Sequence, residues 1–209
     1  RVAELAGACA ALAGDRGAMD AALSTAAPGA ADGWTAEGRV GFSYERRRGS
    51  VLAKRGDERL LICKGAPEAI LDVCDRRREG QATPVLDEAA RSAITAELKQ
   101  LAAQGLRAIA VASKTCTIAG DALQPGDESG LILEGFCTFA DPPKATACDA
   151  LKRLAAAGVR VKVLSGDDPL VVARVAGLVG LTSKDVLAGP ELAKLSEDAF
   201  RARVQDVDL

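Results

Sequence analysis

The chain has 209 residues, 48% of them hydrophobic but only 3% aromatic, and a formal charge of −2. That length holds one large domain or two smaller ones, and so balanced a charge supplies no basic stripe, which argues against nucleic acid as the main partner. No run approaches the roughly eighteen apolar residues of a membrane span, and Arg1–Ala13 shows helical periodicity in place of a cleavable leader.

Six cysteines stand at positions 9, 63, 74, 116, 137 and 148, and histidine is absent. None of the cysteines forms a C-x-x-C pair, and several lie in apolar runs where cysteine behaves as a small hydrophobe. Buried, reduced thiols in a cytosolic compartment are expected. The absence of histidine removes serine–histidine and cysteine–histidine triads and any histidine-ligated metal.

In chain order, Val2, Leu5, Ala6, Cys9, Leu12 and Ala13 recur at helical spacing, and a second helical stretch is expected over Met19–Thr25. Ala26–Gly33 reads as a loop. The period then changes: Val40–Tyr44, Ser50–Lys54 and Arg59–Lys64 read as strands, with Arg55-Gly56-Asp57-Glu58 as a hairpin turn. Pro67 suits the first position of a short helix through Cys74. A longer helix, Asp87–Gln104, carries Ala90, Ile94, Leu98 and Leu101 on one face, with Gly105 as its cap. Leu106–Ser113 and Leu131–Phe139 are two further strands, separated by a polar loop.

Asp141-Pro-Pro-Lys144 is stiff punctuation, because two prolines fix the backbone and withhold ladder donors. A helix follows with Ala147, Leu151, Leu154 and Ala155 on one face, ended by Gly158. Then come a strand, Val159–Leu164, the turn Ser165-Gly166-Asp167-Asp168, and a helix from Pro169. This order is half of a parallel α/β unit, so a boundary is placed near residue 140 and 141–209 reads as truncated.

Three segments carry candidate chemistry. In Phe42-Ser-Tyr44-Glu-Arg-Arg47-Arg-Gly-Ser-Val51, aromatic rings followed by three arginines suit a nucleotide: a ring face for the base and cations for phosphate. The same arginines equally suit a solvated basic edge that blocks strand aggregation. Lys64-Gly65-Ala-Pro-Glu68 sets a lysine and a glycine turn at a strand end, as a pocket mouth or as a plain connection with a snorkelling lysine. Ser165-Gly166-Asp167 lies where a strand meets a helix, a place suited to anions, or forms a polar turn that Asp168 caps. Arg107, after Gly105, opens a strand. No P-loop and no G-x-G-x-x-G occurs.

Taken together, these segments resemble the P-type cation-transporting ATPases over nearly the whole chain. The Phe42–Val51 segment is similar to the adenine-side strand of that family's nucleotide-binding domain and Lys64–Glu68 to its lysine motif. Gly105-Leu106-Arg107 is similar to its arginine strand, Asp141–Lys144 to the hinge into the phosphorylation domain, and Ser165-Gly166-Asp167 to its Thr-Gly-Asp loop. The Glu-Arg-Arg-Arg core and the run Asp127–Phe136 resemble the magnesium-transporting subgroup most. The resemblance implies an α/β (α+β) fold. Residues 1–140 would be an antiparallel sheet flanked by helices, the nucleotide-binding domain. Residues 141–209 would be a fragment of a parallel, haloacid dehalogenase-like phosphorylation domain.

By the same resemblance, Phe42 stacks on adenine, Asp20 contacts the base, and Lys64 with Gly65 lines the deep end of the pocket. Arg47 and Arg107 approach the phosphates. The ligand is ATP, with Mg²⁺ as MgATP in the whole pump, and the partners are the remaining cytoplasmic and transmembrane domains of one polypeptide in an inner or plasma membrane. Cation transport, of Mg²⁺ by subgroup, runs through an aspartyl-phosphate. The family's Asp-Lys-Thr-Gly-Thr segment and its Gly-Asp-Gly-x-Asn-Asp loop are not in this sequence, so the chain alone is expected to bind nucleotide without hydrolysing it. Tyr44 and Gly49 depart from the residues common in the family, and Ser165 stands for threonine with its hydroxyl kept. Two other readings stay open: a haloacid dehalogenase-type phosphohydrolase, for which Asp206-Val207-Asp208 has the nucleophile spacing, and a non-catalytic adaptor.

Overall fold

A computed structural model describes residues 1–14, 17–116, 123–181 and 186–209. The chain divides into two units, one of Arg1–Ala96 with Ala108–Phe139 and the other of Glu97–Arg107 with Ala140–Leu209.

The first unit opens with helices α1 (Val2–Ala13) and α2 (Ala18–Ala26), followed by β1 (Thr35–Ser43), β2 (Arg48–Arg55) and β3 (Glu58–Gly65). These three strands form an antiparallel meander, and Arg55 pairs with Glu58 across the two-residue turn at Gly56. Next in the chain come the short helix α3 (Pro67–Leu71), β4 (Cys74–Arg77), helix α4 (Glu88–Ala103), β5 (Leu106–Thr115) and β6 (Leu131–Ala140), of which Glu97–Arg107 and Ala140 fall in the second unit. The six strands order as β1-β2-β3-β5-β6-β4; β5 runs antiparallel to β3, and β4 parallel to β6. The fold is therefore α+β, a mostly antiparallel sheet with helices, as the sequence leads one to expect. The loop between β5 and β6 lies in part (117–122) outside the described residues.

Period-2 alternation decides which side chains meet. One face of the central strands carries Val51, Ala53, Leu60 and Ile62, which pack with Leu5, Ala6 and Cys9 of α1 and Leu23 of α2. The opposite face carries Ser50, Leu52, Leu61 and Cys63, also buried. Burial on both faces is why Leu60–Cys63 reads as an unbroken apolar run. Truncating one such aliphatic to alanine costs about 2–5 kcal/mol, from lost transfer energy and the cavity left behind.

Among the described residues, Glu128 and Glu134 are buried carboxylates in this unit, and both are hydrogen-bonded to arginines and a serine. Glu128 accepts from Arg46 Nη1 (2.8 Å), Arg48 Nε (2.8 Å) and Ser50 Oγ (2.8 Å). Glu134 accepts from Arg1 Nε (2.8 Å), Arg78 Nη2 (3.2 Å) and Ser113 Oγ (2.6 Å). Burial alone would push the Glu134 carboxyl up, but the hydrogen bonds from Arg1, Arg78 and Ser113 outweigh it and hold it at about 2. All six cysteines are outside disulfides; burial pushes Cys63 up, and Cys74 up to about 12.

The first strand begins at Thr35, five residues before the expected Val40, and two larger features also differ from the sequence expectation. The helix expected through Cys74 stops at Leu71, and Cys74 instead opens β4, whose charged sequence Cys-Asp-Arg-Arg hides an edge strand. The strand expected over Val159–Leu164 is not formed. That segment has no regular secondary structure and is mostly exposed, and Val163 N–H donates to Asp208 O (2.8 Å). One bond does not make a ladder.

Among the described residues, 141–209 hold the helices α5 (Ala147–Ala156), α6 (Pro169–Leu178), α7 (Gly189–Leu192) and α8 (Glu197–Asp206). Asp168 caps α6 by accepting from Leu170 N–H (2.8 Å), and Ser196 caps α8 through Ala199 N–H. Arg160 and Lys162 both face Asp208 and the carbonyls ending α8, where cations are favoured.

Candidate nucleotide site

The candidate residues of the first unit gather around one end of the β1–β2–β3 meander. Between the pairs Val40↔Ser50 and Ser43↔Arg48, residues Gly41 and Phe42 together face the single residue Gly49. This is a β-bulge, a device that re-aims a side chain. On its other side Gly49 pairs with Lys64. A side-chain-free residue thus separates Phe42 from Lys64 in a row across three strands. A β-carbon at Gly49 would stand 3.0 Å from the Phe42 amide nitrogen, closer than ordinary contact.

The Phe42 ring is 53% exposed and Tyr44 is 92% exposed. The two rings meet edge to face, with centroids 5.6 Å apart. Singly exposed aromatics are ordinary on protein surfaces, and Phe42 leaves about half of its surface open to a flat partner. Lys64 Nζ stands 2.6 Å from Asp20 Oδ1, and the two side chains are 13% and 16% exposed. The expected base contact and the expected deep lysine are therefore each other's partners in this structure.

Gly65 is required by close approach. A β-carbon there would collide with the Arg47 carbonyl oxygen and with Arg48, and that same carbonyl accepts the Ala66 N–H at 2.9 Å. The turn carrying the arginines is thereby bolted to the lysine motif. Arg47 takes a left-handed backbone, φ 54°, uncommon for a residue with a side chain. Its N–H donates to Ser43 O (2.7 Å).

The three arginines consequently part company. Arg46 and Arg48 are engaged by buried Glu128, whereas Arg47 holds Glu68 at 2.6 Å in a mostly exposed pair. Sequence reasoning named the arginine run and the lysine motif but paired neither Glu128 nor Glu68 with it. Glu128 lies eighty residues away from Arg48, and no local pattern announces such a bond.

Arg107 belongs to the second unit, where its guanidinium meets Asp167 at 3.0 Å. Asp167 N–H donates to Ser165 Oγ (3.1 Å). Arg107, Asp141, Ser165 and Asp167 rim a cavity of about 200 Å³ whose wall includes Val163 and Val171. Asp208 of the Asp-x-Asp sequence is bound to Arg160 at 2.6 Å.

The family model for the P-type ATPase cytoplasmic domain N matches residues 25–146. The chain belongs to the P-type ATPase family. The match takes in Phe42, Tyr44, Arg47, Lys64, Gly65 and Arg107, while Asp20 precedes it and Ser165 and Asp167 follow it. Among curated P-type ATPases, the magnesium-transporting ATPase, P-type 1, of Salmonella typhimurium is 40% identical over 190 residues, 90% of this chain and 21% of that protein. The protein of the same name from Escherichia coli K12 is 41% identical over 178 residues, 84% of this chain and 20% of that one. The probable cation-transporting ATPase F of Mycobacterium bovis is 31% identical over 168 residues, 77% and 18% respectively. The chain thus spans about a fifth of the P-type ATPases it matches. Among the described residues, no helix is long and apolar enough to cross a membrane.

Proposed function

We propose that this chain is the adenine-nucleotide-binding part of a P-type ATPase that transports a cation, Mg²⁺ by likeness to its relatives, and that residues 1–140 are its nucleotide-binding domain on the cytoplasmic side of an inner or plasma membrane. Residues 141–209 are then part of the phosphorylation domain, of haloacid dehalogenase type. The observation that carries the reading is the row Phe42–Gly49–Lys64: an exposed aromatic and a cation on either side of a residue that has no side chain.

In this reading the adenine stacks on Phe42 beside Tyr44, and sequence-tolerant stacking supplies most of the affinity. Asp20 faces the base, Lys64 and Gly65 form the deep end, and Arg47 meets phosphate. Arg107 is assigned a phosphate role from the family pattern alone. In the whole pump the γ-phosphate goes to an aspartate of the same polypeptide, and fixed cations stabilise the charge that develops in transfer. MgATP is the form in which the whole pump uses the nucleotide. Among the described residues no three carboxylates or thiols converge on a metal position, so no step is assigned to a metal held by this chain. Binding without a nucleophile held in line adds nothing to the chemical step, so this chain binds ATP and does not hydrolyse it.

Titration of the isotope-labelled chain with adenosine and ADP, followed by NMR, tests the reading. Shifts centred on Phe42, Gly49 and Lys64 are expected, and Phe42→Ala weakens both ligands by about 1–3 kcal/mol. Shifts confined to residues beyond 141, or none, would remove it.

A further inference from the structure

We infer that Glu68 is an internal competitor for the phosphate end of the nucleotide: it holds the Arg47 guanidinium in the nucleotide-free protein and yields it to a phosphate group on binding, a role that rests on the nucleotide reading above. Of the three consecutive arginines, the outer two are not exchangeable. Arg46 and Arg48 compensate the carboxylate of Glu128, whose side chain has no exposed surface, and withdrawing either would leave a buried charge short of its partners.

Arg47 differs in every respect that matters. Its pair with Glu68 is short, 2.6 Å, but the two side chains are 54% and 60% exposed. An ion pair so open to solvent is weak and screened by salt. The arginine's backbone, by contrast, is held at both ends. Its N–H is bound to Ser43 O and its carbonyl to Ala66 N–H, and the absent β-carbon of Gly65 lets the two chains touch. Arg47 can therefore change partners by side-chain rotation alone, without leaving the Lys64 end of the site. A phosphate chain carries more charge than one carboxylate and accepts from a guanidinium in two-pronged fashion, so it wins the exchange. The Lys64–Asp20 pair is far more shielded than Arg47–Glu68, which makes Arg47 the more readily exchanged of the two cations. Glu68 thereby tunes how strongly affinity depends on the number of phosphates, and leaves the base untouched.

The test is a cycle of four proteins, the 209-residue chain, Glu68→Gln, Arg47→Gln and the double variant, each titrated calorimetrically with adenosine, ADP and tripolyphosphate at low and high salt. Both side chains are exposed, and a thermal melt confirms that each variant is folded. Glu68→Gln is expected to tighten ADP and tripolyphosphate roughly two- to fivefold, the worth of an exposed ion pair, with adenosine unchanged and the gain reduced by salt. In the Arg47→Gln background the Glu68 substitution should bring no gain. Equal effects on adenosine and ADP, no effect on ADP, or a gain that persists without Arg47 would each overturn the role of Glu68 while leaving the nucleotide site standing. Failure of the unaltered chain to bind adenosine or ADP at all would remove the nucleotide reading, and the role of Glu68 with it.

Discussion

Lys64 and Asp20, forty-four residues apart in the chain, form a 2.6 Å ion pair at the end of the central meander, and both side chains are mostly shielded from water. Their separation in sequence makes the pair a tertiary bond between α2 and β3. It fastens α2 to the sheet and fixes the lysine beside Gly49 in the row across the strands. Lys64→Met removes one partner of a charge-assisted bond and is expected to cost roughly 1.5–3 kcal/mol in urea unfolding. It should also weaken adenosine and ADP to a similar degree. Unchanged stability would mean that the pair is not formed in solution.

Gly65→Ala is expected to be more damaging than its single methyl group suggests. The new β-carbon collides with the Arg47 carbonyl and with Arg48. Those atoms belong to a strand end and a turn that cannot yield independently, so overpacking of about 1–3 kcal/mol is predicted. The amide resonances of Arg47 and Ala66 should shift together, because the bond between them is what gives way. A midpoint of unfolding equal to that of the unaltered chain contradicts the packing described.

Substitutions within the arginine cluster should separate by burial. Glu128→Ala strands Arg46 and Arg48 without their anion and is expected to cost about 3–5 kcal/mol. Arg47→Ala breaks an exposed pair and should cost less than about 1 kcal/mol. Urea unfolding of the two variants side by side provides the measurement, and similar costs would show that the two environments are not distinct.

Acid should act through Glu134. Its carboxyl is held at about 2, below the ordinary 4.5, so the stabilisation is fully present above about pH 4.5 and fades as pH falls towards 2. By linkage the loss across that interval is about 3 kcal/mol. Glu134→Gln should lower stability at pH 6 and flatten the decline between pH 4.5 and 2. Parallel pH profiles for the two proteins would exclude Glu134 as the titrating group.

Much of this protein was legible in its sequence, for local physical reasons. The helical spacing of Val2 to Ala13, the turn at Gly56, the proline opening α3 and the glycine after α4 each act within a few residues. The elements they set lie where periodicity and punctuation put them. The order of the arginine, lysine and hinge segments was enough to resemble a single family, and the candidate nucleotide residues were named from that resemblance. What periodicity could not reveal depends on contacts between distant segments. β4 exists because Cys74–Arg77 finds β6 to lie against, whereas Val159–Leu164, where Arg160 and Lys162 alternate with aliphatics, finds too few bonds to become a strand. Above all, the sequence presents three like-charged neighbours, Arg46, Arg47 and Arg48. Only the tertiary structure separates them, because a buried carboxylate from Glu128 claims the outer two and the left-handed backbone at Arg47 turns the middle one to Glu68. The charge of a side chain is a local property, but its availability to a ligand depends on which opposite charge the fold brings beside it.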